Sequence, residues 1–105
     1  YFSTIDQGKI KGWKKHRLMI MNLVVPHGKI KFVIFDDRSE SETRNKFSEI
    51  VLSPENYQRL TVPPNVWMGF MGISINKNLL LNIASISHDS NEVEQCNLSK
   101  IPYSW

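Results

Sequence analysis

The chain has a single cysteine, Cys96, among 105 residues. A lone thiol closes no internal disulfide and builds no paired-cysteine zinc framework, and it fits a reducing compartment. Long hydrophobic runs are missing as well. Apolar stretches such as Val24-Val25 and Leu79-Leu80-Leu81 fall far short of the roughly 20 residues that cross a bilayer, so no membrane span is expected. The chain opens without an initiator Met or a basic leader followed by an apolar block. Tyr1-Phe2-Ser3-Thr4-Ile5 reads instead as a strand entered in mid-fold, with an N-terminal piece expected to be missing. There is no convincing amphipathic helix, no internal repeat, no Ser/His/Asp triad signature and no glycine loop of the phosphate-cradling kind. These absences point to a cytoplasmic, membrane-free protein. Hydrophobic residues at 41% and charged residues at 22% speak against wholesale disorder, and the length suits one domain over residues 1–105.

Charge is modest. The net value is +3, with Lys9, Lys11, Lys14, Lys15, His16 and Arg17 gathered near the start. Such a cluster suits an anionic ligand, for example a diphosphate. It equally suits a solvated strand edge whose lysines block unwanted pairing. Nucleic acid is not expected as a partner, because the charge is small and acidic residues are interspersed.

What is present is strand pattern nearly throughout. Tyr1 to Ile5 is β-prone and meets a turn signal at Asp6-Gln7-Gly8. Lys9 to Arg17 alternates in part, and Leu18 to Val25 is an apolar run stopped by Pro26-His27-Gly28. Lys29 to Phe35 begins as lysine/apolar alternation and turns fully apolar, which predicts a strand exposed at one end and buried on both faces at the other. Asp36 to Asn45 reads as a loop and Phe47 to Leu52 as a strand. Ser53-Pro54-Glu55-Asn56 reads as a turn, and Arg59 to Val62, Val66 to Ile73 and Leu79 to Ile86 as further strands. Beyond His88 the chain becomes acidic and irregular, ending Ile101-Pro102-Tyr103-Ser104-Trp105. Seven or eight short strands separated by turn signals favour a sandwich, barrel or jelly roll.

The spacing Gly8, Lys14-x-His16, Met21, Gly28 resembles the first motif of the cupins, in which Gly is followed by His-x-His, Glu and Gly. Pro63-Pro64-Asn65-Val66-Trp67-Met68 resembles the second, Pro-x-Gly-x-x-His. One His remains at the four metal-ligand positions, and a lysine at another repels a cation, so neither a metal nor another cofactor is expected. Within the cupins, Lys11-Gly12-Trp13-Lys14, Pro63 to Phe70, Leu81-Asn82 and the Lys29 to Arg38 strand resemble the dTDP-4-dehydrorhamnose 3,5-epimerase family. The Ser87-His88-Asp89 stretch and the Ile101 to Trp105 ending resemble a short subgroup linked to surface-polysaccharide sugars. The resemblance implies an all-β, cupin-type double-stranded β-helix (a jelly roll) that lacks the family's N-terminal strands. It also implies a homodimer and a nucleotide-linked sugar as ligand.

The same resemblance places the family's proton-removing His at Lys14, its enolate-stabilising lysine at Met21, its second His at Met68, its proton-donating Tyr at Leu81 and its substrate-binding Arg at Lys11. The usual acid–base pair is therefore replaced. Sugar 3,4-ketoisomerases, a related branch, carry an essential His pair here, and His16 fits its second member. Enolate chemistry needs a base and a cation. An imidazole is a base suited to such chemistry, and the two-residue offset sets His16 on the same strand face as Lys14. The expected catalytic residues are thus His16 and Lys14, with Lys11, Trp13, Arg38 and Trp67 binding substrate. Plainer roles are a hydrogen-bonded, partly buried His16, a local ion pair for Arg38, and core packing for Phe70 and the methionines. His27 is expected in an exposed turn, and His88 beside Asp89 as local turn chemistry. Three functions stand side by side: an epimerase or isomerase of a 4-keto nucleotide sugar, a non-catalytic sugar-nucleotide binder, and a structural partner subunit.

Overall fold

The computed structural model describes residues 1–87 and 89–105. His88 and its expected pairing with Asp89 lie outside the described residues. The described strands are β1 (Phe2–Ile5), β2 (Ile10–His16), β3 (Met21–His27), β4 (Ile30–Asp36), β5 (Lys46–Leu52), β6 (Leu60–Val62), β7 (Trp67–Gly72), β8 (Asn78–Asn82) and β9 (Val93–Gln95). They pair antiparallel into two sheets, in the orders β1-β8-β3-β6 and β5-β4-β7-β2-β9. This is the all-β cupin jelly roll that the turn spacing and the two motif frames imply.

Alternation along each strand sends one set of side chains between the sheets. Ile5, Met21, Leu23, Val25, Val62 and Leu80 come from the first sheet and meet Ile30, Phe32, Leu52 and Met68 of the second. Each such buried side chain contributes about 1.5–3 kcal/mol of transfer free energy, which is what holds the two sheets face to face.

Strand β4 behaves as its sequence predicts: Phe32 and Val33, on opposite faces, are both fully buried. Val33 packs with Trp13 and Ile101 in a second cluster bordered by Phe35, Phe47, Trp67, Tyr103 and Trp105. The C-terminal segment thus covers the outer face of the second sheet. Lys31, at the alternating start of β4, lays its ammonium over the Tyr103 ring at 4.9 Å from the centroid.

Several segments differ from expectation, and β3 runs on through Pro26 and His27, so His27 is an exposed strand-end residue and the turn comes at Gly28. The run from Leu18 becomes a strand only at Met21, because the amides before it go to side chains. Leu18 and Met19 donate to Glu92 Oε2 at 3.1 and 3.2 Å, and Ile20 donates to Ser85 Oγ at 2.9 Å. The ladder of β8 stops at Asn82, short of Ile86. Strand β9 forms inside the acidic tail by pairing with β2, His16 opposite Val93 and Lys14 opposite Gln95. The Ser53 turn forms as expected, with the Asn56 amide donating to Ser53 Oγ at 3.1 Å. Gly28 turns the chain from β3 to β4 at φ +84, where an added Cβ meets Asn78 atoms at 2.5–2.7 Å.

Candidate functional site

The site begins with an extra residue in β2. Lys11 faces Phe70 of β7 and Lys14 faces Met68, three steps on one strand against two on the other, which is a β-bulge at Gly12-Trp13. The bulge returns Lys14 to the inner face shared with Lys11. Trp13 and Lys15 point out. Trp13 packs edge-on to Tyr103, and Lys15 lies 4.7 Å from the Trp67 ring centroid and bonds Asp37 at 2.8 Å. His16, two residues beyond Lys14, is again on the inner face.

Between the sheets, near β1, β2 and β9, lies a cavity of about 540 Å³. That size suits a small-molecule ligand. Lys11, Lys14 and His16 line it from β2; Met21, Leu23, Met68 and Leu80 form its apolar floor, and Tyr1, Ser3, Gln95 and Asn97 add polar groups. His16 is 8% exposed, and its Nδ1 lies 2.5 Å from Glu92 Oε1. Glu92 is itself buried, and its other oxygen accepts the Leu18 and Met19 amides. Asp89 fixes the turn that delivers Glu92 by accepting from the Asn91 amide at 2.9 Å, and the Arg17 amide donates to the Glu92 carbonyl at 2.7 Å.

Burial pushes the Glu92 carboxyl up, but the His16 bond and the two amides outweigh it and hold the group at about 2, against an ordinary 4.5. It is therefore a carboxylate near neutral pH. An ionised carboxylate only accepts hydrogen bonds, so Nδ1 carries the proton. Nε2 is left as the basic nitrogen of the ring, held in orientation from behind.

The sequence-derived candidates divide. His16, Lys14 and Lys11 come together at the cavity. The Lys14 ammonium makes no hydrogen bond or ion pair among the described residues, and the side chain is exposed. Lys11 Nζ donates to Ser3 Oγ at 3.1 Å and to the Thr4 carbonyl at 3.0 Å, closing the seam between β1 and β2. Trp13 borders the cavity, but its ring packs into the outer cluster at 5.5 Å from Trp105. Trp67 donates its indole N–H to Asp37 at 2.9 Å, on the outer side. Arg38 sits after β4 and forks onto Asp36, both contacts at 2.9 Å. With Ser41 and Thr43, it holds the buried Asp36 carboxyl well below the usual carboxylate range. The structure does not bring Trp67 and Arg38 to the cavity.

Of the family positions, Met21 and Met68 do line the cavity, while Leu81 does not. Leu81 stands opposite Phe2 and Val24 on the outer face of the first sheet, and the inward residues of β8 are Asn78, Leu80 and Asn82. The tyrosine position that the resemblance assigns to Leu81 therefore faces away from the cavity. Asn65, where the motif has glycine, keeps the left-handed backbone at φ +68, which asparagine tolerates. Sequence reasoning missed Glu92. It lies 76 residues from His16 and falls in no motif frame with it, and the only signal was the acidic character of the tail. Among the described residues, no group of three or more His, Cys, Asp or Glu could hold a metal ion.

No family model matches the chain. The crystal structure of a dTDP sugar isomerase from Desulfovibrio desulfuricans G20 superposes with a TM-score of 0.96 at 36% identity, covering 100% of this chain and 69% of that one. A relative from Haloferax volcanii, named "Probable low-salt glycan biosynthesis epimerase", is 30% identical over 104 residues, 98% of this chain and 65% of its own length. The chain thus spans just under two thirds of that curated relative. A dTDP-4-dehydrorhamnose 3,5-epimerase from Bacillus anthracis str. Ames shares the fold, with a TM-score of 0.87 at 21% identity over 100% of this chain and 63% of that one.

Proposed function

The chain belongs to the dTDP-4-dehydrorhamnose 3,5-epimerase-like family of dTDP-sugar epimerases and isomerases, and from that premise we propose that it is a metal-independent isomerase or epimerase of a nucleotide-linked 4-keto-6-deoxyhexose, serving surface-polysaccharide synthesis. The observation that carries the reading is the His16–Glu92 pair at 2.5 Å with Lys14 on the same inner face. His16 Nε2 takes the proton from the carbon beside the ketone, and the charge that results on the ring is balanced by Glu92. The Lys14 ammonium meets the developing enolate oxygen. Lys11 adds positive charge at the seam for the diphosphate. Trp13, Trp67 and Arg38 support substrate binding from behind, by fixing β2, β7 and the end of β4.

A homodimer and a cytoplasmic location are part of the proposal. Phe2, Leu81 and Val24 form an apolar row across three adjacent strands, and Phe2 is 64% exposed. A second copy is the natural cover for such a row. The free thiol of Cys96 fits a reducing compartment.

The test is incubation with dTDP-4-keto-6-deoxyglucose, with products read by NMR. A new nucleotide sugar that fails to form with His16→Ala supports the reading. A folded wild-type protein that binds the nucleotide sugar and leaves it unchanged would replace it with a binding module.

A further inference from the structure

We propose that Gln95 of β9 is a specificity-determining residue of this site: its carboxamide reads the hydroxyl on the ring carbon beside the ketone, next to the oxygen that Lys14 meets. This rests on the proposed function above and fixes which way round the sugar lies. Strand register places Gln95 there. β2 lies between β7 and β9 in the second sheet. Lys14 stands opposite Met68 on one neighbour and opposite Gln95 on the other. Directly opposed residues share a face of the sheet, with Cβ atoms about 4.5–5.5 Å apart. Lys14 points inward, so Gln95 does too, while Lys15 and Glu94 make the matching pair on the outer side. Lys14 and Gln95 both line the cavity and both are exposed. The Gln95 carboxamide, like the Lys14 ammonium, makes no hydrogen bond among the described residues. The other inward residue of β9 is Val93, opposite His16, so Gln95 is the polar group that this strand brings to the cavity.

Met68, Lys14 and Gln95 thus form one row across three strands: a thioether, an ammonium and a carboxamide. Met68 is 6% exposed and packs into the core, so it offers apolar contact. The ammonium only donates hydrogen bonds. The carboxamide brings an acceptor and two donors, and it suits a group that itself donates and accepts, as a hydroxyl does. A 4-keto-6-deoxyhexose carries the matching series. Its ketone is flanked by C5, which bears a methyl group, and by C3, which bears a hydroxyl. With the ketone oxygen at Lys14, the methyl side falls toward Met68 and the C3 hydroxyl toward Gln95. The reverse orientation sets a hydroxyl against a buried thioether and a methyl against a free carboxamide, which leaves both polar groups unpaired.

The experiment uses two ligands that lack a ketone but keep an oxygen at C4 for Lys14: dTDP-6-deoxyglucose and its 3-deoxy counterpart. Neither can enolise, so calorimetry reads binding without turnover. The parent is expected to bind the hydroxyl-bearing ligand roughly three- to tenfold more tightly, the span of one neutral hydrogen bond. Gln95→Leu is expected to bring that ligand down to the level of the 3-deoxy one and to leave the 3-deoxy ligand unchanged. Equal weakening of both ligands, the signature of a merely structural role, overturns the assignment. So does a preference that survives in Gln95→Leu, or equal affinity of the parent for the two; each of these leaves the proposed function standing. Binding of neither ligand by the folded parent removes both.

Discussion

Replacing Glu92 with glutamine swaps one oxygen for an amide and leaves the volume nearly unchanged. The native carboxylate serves three donors: His16 Nδ1–H on one oxygen, and the Leu18 and Met19 amides on the other. Glutamine brings one acceptor and one donor, so it cannot serve both sides. The two amides are fixed donors that cannot reverse; the imidazole can. The carboxamide oxygen is expected to keep the amides and the NH₂ to turn to His16. Nδ1 must then accept, and the ring proton moves to Nε2. Losing a charge-assisted bond of this kind costs about 1.5–3 kcal/mol of stability. Reversal of the tautomer removes the base, and by analogy with an aspartate-to-asparagine change behind a catalytic histidine the rate falls on the order of 10²–10⁴-fold. The assay is nitrogen-15 NMR of the His16 ring together with urea denaturation and turnover of the nucleotide sugar. A Glu92→Gln protein that keeps its proton on Nδ1 and turns over within about twofold of the parent would refute the assigned role of the pair.

Acid stability follows from the same carboxylate. Its folded value of about 2 lies below the ordinary 4.5, so its contribution is fully present above 4.5 and disappears as pH falls toward 2. The shift corresponds to about 3 kcal/mol, read as a falling urea midpoint through that window and a shallower fall in Glu92→Gln. Asp36, depressed by Arg38 and two hydroxyls, adds to the loss in the same direction, so Asp36→Asn should flatten the acid limb further. Trp13→Ala empties a site that is 1% exposed beside Tyr103 and Trp105, and about 3–5 kcal/mol is expected to be lost in chemical denaturation. Lys14→Ala removes a side chain with no bonds among the described residues, so its unfolding free energy should stay within about 0.5 kcal/mol of the parent while turnover is abolished.

The fold was legible because its signals are local. Turn residues such as Gly28 and Pro63-Pro64-Asn65 punctuate alternating runs, and the change from alternation to continuous apolarity in Lys29 to Phe35 matches a strand that is covered on both faces only beyond its start. What escaped depends on distant partners. The segment from Leu18 to Ile20 has the composition of a strand, yet its amides are claimed by Glu92 and Ser85. Strand β9 carries no apolar alternation and exists because β2 offers an open edge. Half of the site was legible in the same way. The Lys14-x-His16 spacing places two side chains on one face whatever lies around them. The bulge that turns Trp13 outward, and the carboxylate that fixes His16, belong to contacts between segments far apart in sequence. Leu81 shows the cost of one residue of register: in a strand, a single step exchanges the cavity face for the outer one.

The central claim is that His16 performs carbon-acid chemistry on a keto sugar. The most direct measurement is the rate at which the C–H next to the ketone exchanges with solvent deuterium, followed by NMR for the parent protein and His16→Ala side by side. The account predicts exchange catalysed by the parent even where net conversion is small, and its loss in His16→Ala. Exchange that proceeds equally in both proteins, or in neither while the nucleotide sugar is bound, would contradict it.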